Sequence, residues 1–386
     1  MKRLLLLFML FIPISMGFSQ LPNNAVTTES HDQCEMAIAV SPTNSNYLVA
    51  GWNDNRENRV PGDTVRPGFG YSTDGGNTWI NYALHPLISS TNYYSCCDPS
   101  VSFDNQGNVY YVFFARPHYP ISSDWDSMGA VIMAKSTFPP RDRNYWSYQF
   151  VHNSTQDDKP YMVIDNDTGS QGNGNIYVTW TRFEDPTLTP NRIGGTEILV
   201  SLSTDHGVNW TDPYSLADAG GDVSGTLAIL SDLGSGSILP TPIYNYVQSA
   251  MPAVGPNGDV YVAWCDNHPP TDPEGTPPYN ASIIWLKKLP YGGSWSEAIK
   301  VANCTFINNV YGVLRYANLP AIAVGPTDYV YVTFIDVTDD THPNSKVVFY
   351  KSSDPINVPF TPTSLILDDI MVQPSVTVDP TGFITL

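Results

Sequence analysis

Residues 72–79 read STDGGNTW, and residues 203–210 read STDHGVNW. Both stretches hold a serine, an aspartate two residues later, a glycine two residues after that, and a final tryptophan. The aspartate can accept hydrogen bonds from the amides of a tight turn, and the glycine can adopt the positive φ that such a turn requires. Each stretch therefore predicts a β-hairpin whose tryptophan packs between sheets. The structural residues in this prediction are Asp74, Gly76, Trp79, Asp205, Gly207 and Trp210.

The hairpins belong to a longer repeat. Each copy starts with an alternating apolar strand, turns at Gly or Asn, and continues with a second apolar strand that ends in an aromatic residue. The second strands end at Trp52, Phe114, Trp180, Trp264 and Phe334. Anchor positions 36, 99, 160, 252, 320 and 374 give spacings of 63, 61, 92, 68 and 54 residues. Four short strands fit each interval, which is the size of a propeller blade.

The sequence therefore predicts an all-β protein, a β-propeller of four-stranded blades, with six copies of the repeat in the chain. One four-stranded sheet cannot cover both of its apolar faces, whereas stacked blades can. We expect a single domain over residues 20–386, with five complete blades and a sixth that is incomplete at the C terminus.

Composition supports this class and excludes others. The 386 residues include 37 Asp or Glu and 18 Lys or Arg, which gives a formal net charge of −19. A nucleic-acid-binding protein normally carries a basic surface, so we expect no nucleic-acid partner. The hydrophobic fraction of 42% is enough for a full core.

The first 19 residues are interpreted as a secretory signal peptide. Lys2 and Arg3 precede an apolar run from residue 4 to residue 14, and small residues follow before Gln20. The apolar run is too short to cross a bilayer comfortably. We therefore expect export, either secreted or held at the cell surface, and no membrane span.

The turn motif resembles the Asp-box, or BNR repeat, of the sialidase-like β-propellers. Degenerate copies at 292–295 (GGSW) and 351–354 (KSSD) fall where the repeat expects them. The resemblance covers the chain from about residue 33 onward. It implies a ring of six blades, with seven as the alternative, whose innermost strands line a central channel.

Charged residues at equivalent blade positions are expected to surround one opening of that channel. Inner strands start, and second strands end, on the same face of a propeller. Two residues beyond the second-strand aromatics lie Asp54, Arg116, Arg182, Asp266 and Asp336. The starts of inner strands add Glu35, Asp98 and Asp158. We predict a ligand-binding role for Glu35, Asp98, Asp158, Asp266 and Asp336.

The resemblance also implies a catalytic set. Residues 48–56 (LVAGWNDNR) are similar to the segment after the first inner strand of sialidases, which also ends in an acid and an arginine. Such an exo-glycosidase needs arginines for a sugar carboxylate, together with an acid and a nucleophile. The candidates are Arg56, Arg116, Arg182, Arg315, Asp54 and Tyr316. Tyr311 is a second candidate nucleophile, with Glu184 or Glu197 as its base.

One departure from that family bears on activity. Sialidases open their first blade with Arg-Ile-Pro, and no copy of the repeat here has the arginine. The equivalent positions hold Cys34, Cys97, Asp158, Ala250, Asn318 and Val372. Similarity of fold alone does not establish a shared catalytic activity.

Calcium is a candidate ligand rather than an established cofactor. Residues 165–175 read DNDTGSQGNGN, which resembles a calcium loop with Asp165 and Asp167 as ligands. Ser170 stands where an EF-hand loop needs glycine. The competing interpretation is an Asn- and Gly-rich hairpin turn.

Five cysteines in an exported chain predict pairing with one left over. Cys34 and Cys97 occupy equivalent positions in neighbouring blades. We expect a Cys34–Cys97 or Cys34–Cys96 bridge, or a vicinal Cys96–Cys97 ring. The seven histidines are scattered and are interpreted as loop residues.

Two functions remain after these observations. The first is a secreted propeller that recognises a glycan or glycoprotein, with sialidase-type exo-glycosidase activity as an extension. The second is a non-catalytic surface or adhesion propeller that binds protein or calcium. A monomer is expected in either case.

Overall fold

The structure is a computed structural model. It describes residues 24–57, 65–117, 129–183, 196–218, 247–266, 281–305, 319–337, 345–364 and 374–385. The predicted signal peptide, residues 1–19, lies outside these ranges. The only helix in the described ranges is one short 3-10 turn, Arg143–Tyr145. No helix among them has the length and apolarity that a membrane crossing requires.

The strands form successive antiparallel sheets. Blade 1 contains β1 (Gln33–Val40), β2 (Leu48–Asp54), β3 (Arg66–Ser72) and β4 (Ile80–Ala83). A short β5 (Leu87–Ile88) precedes β6 (Thr91–Phe103), β7 (Asn108–Pro117), β8 (Gly129–Thr137) and β9 (Ser147–Ile164). Next come β10 (Ile176–Phe183), β11 (Thr196–Ser203) and β12 (Tyr214–Asp218). Each strand of blade 1 pairs with the next along the chain.

The later strands repeat this order. Blade 4 contains β13 (Val247–Val254), β14 (Val260–Asp266), β15 (Ala281–Leu289) and β16 (Ile299–Thr305). Blade 5 contains β17 (Ala321–Val324), β18 (Val330–Val337), β19 (Ser345–Ser352) and β20 (Thr361–Ser364). A final pair is β21 (Thr377–Val378) and β22 (Ile384–Thr385).

Blade 2 contains β6, β7, β8 and the first part of β9, and blade 3 contains the second part of β9 with β10, β11 and β12, so the two blades share strand β9. Its first part pairs with β8 and is the outer strand of blade 2, while its second part pairs with β10 and is the inner strand of blade 3. Asp157 lies at the changeover, because it pairs with Gly129 on one side and with Arg182 on the other. The two blades therefore form one continuous eight-stranded sheet with β5 at its edge.

The hydrophobic core is divided between consecutive blades. Phe69 of blade 1 packs in one cluster with Phe113 of blade 2, and Tyr110 of blade 2 packs in a second with Trp180 of blade 3. Two further clusters join blade 3 to blade 4 and blade 4 to blade 5. Sheets that bury their faces against the next sheet in turn define a β-propeller, which confirms the predicted fold class.

The inner strand of blade 1 is covered on one face only. Ala37 and Ala39 of β1 lie against the core shared with blade 2. The alternate residues Met36, Ile38 and Val40 are 84%, 63% and 54% exposed. No blade covers this second face among the described residues.

The two predicted hairpin turns form as the motif requires. Asp74 accepts from the Thr78 amide at 2.9 Å and from the Thr78 hydroxyl at 2.7 Å. In the second turn Asp205 accepts from the amide of Asn209 at 2.8 Å and from its side chain at 2.7 Å, so the asparagine replaces the threonine hydroxyl. These bonds lower the pKa of both aspartates to about 2.

The glycines of these turns have the predicted backbone conformation, and the two tryptophans make different contacts. Gly76 and Gly207 have φ values of 87° and 83°, as expected. Trp210 packs against the core between blades 2 and 3. Trp79 is half-buried and donates to the carbonyl of Gly76 within its own turn.

The register corrects one anchor of the repeat. Thr179 pairs with Tyr161 and Ala263 pairs with Met251, so Ala250 is the residue equivalent to Pro160. The anchor positions chosen from the sequence had instead made Pro252 equivalent to Pro160. A shift of two residues keeps every side chain on the same face of the strand, so the alternating pattern could not reveal it.

Candidate functional site

A bulge at the start of the inner strand recurs in the first four blades. Its first residue has a positive φ in each case: Glu35 (54°), Asp98 (52°), Lys159 (50°) and Ser249 (64°). The strand pairing shifts register at the same four places. A positive φ in a non-glycine residue costs roughly 1–3 kcal/mol, and bulges of this kind re-aim side chains beside functional sites.

Three of these bulge residues meet across blades, and we call Glu35, Asp98 and Lys159 the axial cluster. The Lys159 Nζ lies 3.0 Å from the Asp98 Oδ1. The Asp98 amide donates to the Glu35 Oε2 at 3.3 Å and to the Asn53 Oδ1 at 3.1 Å. The Asn53 side chain in turn donates to the Glu35 Oε2 at 2.6 Å. Consecutive blades thus place two carboxyl groups and an ammonium group at one point.

The electrostatics of the axial cluster favour a shared proton. Partial burial, with the hydrogen bond to Asp98 and its charge, raises the pKa of Glu35 to about 7. Burial also raises the pKa of Asp98, although Lys159 opposes that rise. Burial alone would lower the pKa of Lys159, but the charges of Asp98 and Asp158 outweigh it and raise that pKa. Two carboxyl groups in contact cannot both ionise easily, so Glu35 carries a proton near neutral pH.

Tyr161 lies beside this cluster. It is two residues beyond Lys159 on the same inner strand, and burial raises its pKa to about 12. The charges of Lys159 and Asp98 act on its hydroxyl, which indicates that the ring is close to both. An aromatic ring beside charged hydrogen-bonding groups is typical of a polar-ligand site.

Asp54 and Arg56 form a closed pair. The Arg56 Nε donates to the Asp54 Oδ2 at 2.7 Å, and its terminal nitrogen donates to the Asn81 side chain at 3.0 Å. The Trp52 indole donates to the same Asp54 oxygen at 2.9 Å. Asp54 is fully buried, so its carboxylate accepts hydrogen bonds from these donors and is not accessible to a ligand.

Arg182 is also engaged by carboxylates. Its Nε lies 3.2 Å from the Asp157 Oδ1, and a terminal nitrogen lies 3.6 Å from the Glu197 Oε2. The second oxygen of the fully buried Asp157 accepts from His152, whose ring stacks on Trp180 with 5.5 Å between ring centroids. Neither Arg56 nor Arg182 is a free clamp arginine, which differs from the arrangement that the resemblance to sialidases implies.

The remaining predicted positions lie as follows. Arg116 lies over the Phe114 ring, 6.0 Å from its centroid. It is one residue beyond the predicted ring position, because Cys97 pairs with Phe114 as Cys34 pairs with Asn53, which makes Ala115 the equivalent of Asp54. Asp266 accepts from the Trp285 indole at 3.3 Å within blade 4, and Asp336 lies opposite residue 346 in the backbone register of β18 and β19. Arg315, Tyr316, Tyr311 and Glu184 lie outside the described residues.

Asp158 was predicted to occupy the same position in its blade as Glu35 and Asp98, but it lies one residue before that position. It pairs with Thr181, as Cys34 pairs with Asn53, so Lys159 is the true equivalent of Glu35 and Asp98. Asp158 still reaches the cluster, because its carboxyl group is hydrogen-bonded to that of Asp98.

The candidate calcium loop forms a hairpin turn. Asp165 accepts from the Ser170 hydroxyl at 2.5 Å and from the Asp167 amide at 3.1 Å, and Asp167 accepts from the Gly169 amide at 2.8 Å. No group of three or more potential metal ligands occurs in the part of the chain that the structure describes. The turn interpretation accounts for both aspartates.

The predicted disulfides of Cys34 are corrected. Cys34 is a free, exposed cysteine, so neither a Cys34–Cys97 nor a Cys34–Cys96 bridge is present. The Asn53 side chain lies 3.9 Å from its Sγ. Cys96 and Cys97 belong to β6, but their side chains lie outside what the structure describes, which leaves the vicinal ring a prediction.

Sequence reasoning missed Lys159, Tyr161, Asn53, His152 and Asp157. Lys159 occupies a repeat position already occupied by Glu35 and Asp98, so an alignment of the bulges would have found it. His152 had been interpreted as a loop residue, but it lies within β9. Its role depends on one strand serving two blades, and no sequence pattern marks that arrangement.

The chain is therefore a β-propeller with a charged cluster where the inner strands of three blades meet, and comparisons agree with this fold class. An α-L-arabinofuranosidase of Fusarium graminearum matches with a TM-score of 0.53 and 10% identity, over 93% of this chain and 88% of that chain. The intramolecular trans-sialidase of Ruminococcus gnavus matches with a TM-score of 0.52 and 12% identity, over 92% and 90%.

A third similar structure is longer. The Hadza microbial sialidase Hz136 is 14% identical with a TM-score of 0.48, and the match covers 87% of this chain but spans only 59% of that sialidase. Comparisons with protein-family models and with curated proteins find no match. At these identities the likeness establishes the fold alone.

Proposed function

We propose that this chain is an exported glycan-recognising β-propeller of the Asp-box type, and that the axial cluster with Tyr161 is its binding site. The observation that carries the proposal is the position of Asp98. It is joined to Glu35 of the preceding blade and to Lys159 of the following blade. Equivalent bulge residues of three blades therefore meet, which a purely structural bulge would not require.

The chemistry of the cluster suits sugar hydroxyl groups. The Lys159 ammonium and a protonated Glu35 donate hydrogen bonds, while the Asp98 carboxylate accepts them. A hydroxyl group does both, so it can bond to any of the three. The Tyr161 ring adds an apolar surface of the kind that packs against a sugar face.

The charge balance favours a neutral sugar over an acidic one. Glu35, Asp98 and Asp158 stand against the single cation Lys159. With Glu35 protonated, two carboxylates still stand against one ammonium group, so the net charge is negative, and it is more negative with Glu35 ionised. A carboxylate-bearing sugar would gain little there, and Arg56 and Arg182 are already paired.

Exo-glycosidase activity is the second candidate, and the pKa of Glu35 favours it. A carboxyl group with a pKa of about 7 can act as a general acid at neutral pH. The geometry of the pair argues against a two-carboxylate mechanism. Glu35 is hydrogen-bonded to Asp98, whereas retaining glycosidases separate their carboxyl groups by about 5–5.5 Å and inverting ones by about 6.5–9.5 Å.

A glycan array tests the proposal. The wild-type protein and the Lys159→Met and Asp98→Asn variants are applied to immobilised neutral and sialylated glycans, with Arg141→Gln as a control for loss of an exposed cation. We expect neutral glycans to be retained by the wild type and the control, and lost with either cluster variant. Equal retention by all four proteins, or retention of sialylated glycans alone, would contradict the proposal.

A further inference from the structure

A groove of about 420 Å³ lies between blades 3 and 4, and none of its lining residues belongs to the axial cluster. Its walls come from the second half of β11, the segment that leads into β12 and the turn that follows β15. Tyr177, Val200 and Leu289 supply apolar surface, while Tyr214 is exposed and Trp295 is half-buried. A concave, mostly apolar groove with a few polar groups is the usual form of a small-ligand site.

Two aromatic rings from different blades face this groove with similar orientations. The Tyr214 and Trp295 rings have 16° between their planes and 6.3 Å between their centroids. Fully overlapping rings would have centroids about 3.5–4.0 Å apart, so neither ring covers the whole face of the other. Tyr214 is also 51% exposed. Aromatic surface therefore remains open to a ligand on both sides of the junction.

The equivalent place at the junction of blades 2 and 3 is filled by a polar contact. Gln149 occupies the position in β9 that Tyr214 occupies in β12, as the strand pairing shows. With its amide nitrogen facing the turn, Gln149 donates to the carbonyl oxygens of Gly207 and Val208, both at 2.8 Å. The outer strand of blade 2 is thus bonded to the Asp-box turn of blade 3, whereas Tyr214 contacts the next turn through an aromatic ring.

The turn of blade 4 differs from the turn of blade 3 in length and in sequence. Leu289 and Ser203 are the equivalent strand ends in the register. Trp295 follows Leu289 by six residues, whereas Trp210 follows Ser203 by seven. The turn of blade 4 also lacks the Ser-x-Asp pair of the Asp-box, since residues 289–291 read LPY. A shorter turn without the capping aspartate leaves space beside β12, and the groove occupies that space.

The polar groups of the groove suit hydroxyl groups better than an ion. Asp212 and Ser294 line the groove and are exposed, so both can reach a ligand. A carboxylate accepts hydrogen bonds, a serine hydroxyl donates and accepts them, and the indole N–H of Trp295 donates. A cation could bind to Asp212 but would offer no acceptor to the two donors. A sugar hydroxyl group suits all three groups, and the apolar face of a sugar ring can pack on an aromatic ring.

We infer that the groove between blades 3 and 4 binds a neutral sugar unit, with its ring face on Tyr214 or Trp295 and its hydroxyl groups on Asp212 and Ser294. The groove is formed by the outer strands of one blade and a turn of the next, whereas the axial cluster is formed by inner strands. It is a second binding site, which goes beyond the proposed recognition at the axial cluster and does not depend on it.

Native affinity electrophoresis tests the groove. Each protein is run in gels that contain hydroxyethylcellulose, xylan, galactan, arabinan or mannan, and its mobility is divided by that in a gel without polysaccharide. The groove variants are Tyr214→Ala and Trp295→Ala, with Tyr214→Phe, which keeps the ring. The matched controls are Tyr145→Ala, at a tyrosine that is 52% exposed, and Trp79→Ala, at the Asp-box tryptophan of blade 1. Near-UV circular dichroism confirms that each variant is folded, and Asp212→Asn replaces Trp295→Ala if the latter is not.

A further variant separates the groove from the axial cluster. Lys159→Met removes the cation of that cluster, so retardation that survives in this variant does not require the axial site. Tetramethylammonium chloride is titrated separately by tryptophan fluorescence, because a cation is the competing occupant of an aromatic groove that contains a carboxylate.

We expect at least one polysaccharide to retard the wild type, Tyr214→Phe, both controls and Lys159→Met. Its affinity should fall about tenfold in Tyr214→Ala and in Trp295→Ala, because each ring supplies part of the stacking surface. The inference is overturned if no polysaccharide retards the wild type, or if the retardation is lost in Lys159→Met and kept in both groove variants, which would instead support the axial cluster. Saturable binding of tetramethylammonium that Tyr214→Ala abolishes would show a cation site and would also overturn it.

Discussion

Lys159 and Asp98 form an ion pair, 3.0 Å between Nζ and Oδ1, that joins the inner strands of two consecutive blades. Both residues start a bulge, and both have a positive φ near 50°. The pair therefore holds together two strained positions that a sheet would not otherwise adopt. This relationship is the centre of the proposed binding site, and the first prediction concerns its stability.

Replacing Lys159 with methionine should destabilise the fold by about 1–3 kcal/mol, because it leaves the largely buried carboxylate of Asp98 without its cation. Urea denaturation measures the effect. In the double variant Lys159→Met with Asp98→Asn, the loss should be smaller than the sum of the two single losses, since no unpaired charge remains. Strict additivity would show that the two side chains do not interact.

Glu35 should make stability depend on pH. Its pKa is about 7 in the folded protein against an ordinary 4.5, so the folded state holds the proton more tightly than the unfolded chain. The stabilisation is therefore fully present below about pH 4.5 and is lost as the pH rises through about 7. Thermal unfolding of Glu35→Gln should decline less than that of the wild type over this window. Glu297→Gln, at an exposed glutamate, is the control, and identical profiles for all three proteins would refute the assignment.

Asp74 should contribute to stability in the opposite direction. Its folded pKa of about 2 lies below the ordinary 3.8, so its contribution is present above pH 3.8 and is lost as the pH falls towards 2. Asp74→Ala should lower the melting temperature at pH 7, and the difference from the wild type should shrink in acid. Asp74→Asn should have a smaller effect, because its amide oxygen can still accept from the Thr78 amide. An alanine variant as stable as the wild type at pH 7 would contradict this role.

Arg182 should be a structural residue rather than a sialoside clamp. Arg182→Gln leaves the fully buried Asp157 with His152 as its remaining partner, and we expect a loss of about 1–3 kcal/mol in denaturant unfolding. The wild type should not hydrolyse a fluorogenic sialoside, because Arg56 and Arg182 are occupied by carboxylates. Turnover by the wild type that Arg182→Gln abolishes would show that the clamp exists.

Local turn chemistry was predictable from the sequence. Asp74 and Asp205 each form their hairpin with neighbours four residues away, so a short motif contains all the partners. The repeat likewise predicted the blades, because each blade is contiguous in sequence. The two-residue error at Pro252 was invisible to an alternating pattern, which only distinguishes one face from the other.

Contacts between blades were less predictable. Asp98 and Lys159 are 61 residues apart, and their meeting depends on bulges that shift the register by a residue. The pairing of Arg182 with Asp157 depends on a strand that crosses from one blade to the next. The repeat predicted that these charged residues lie at the same edge of the sheets, but it could not predict which of them form ion pairs with each other.

The most direct test of the account is calorimetric titration of the neutral glycan that the array retains best. The wild type is compared with Asp98→Asn and Lys159→Met, and with Ser249→Ala, which alters the equivalent bulge residue of the fourth blade. We predict at least a tenfold loss of affinity in the two cluster variants and wild-type affinity in Ser249→Ala. Wild-type affinity in folded Asp98→Asn and Lys159→Met proteins would show that the axial cluster is not the binding site.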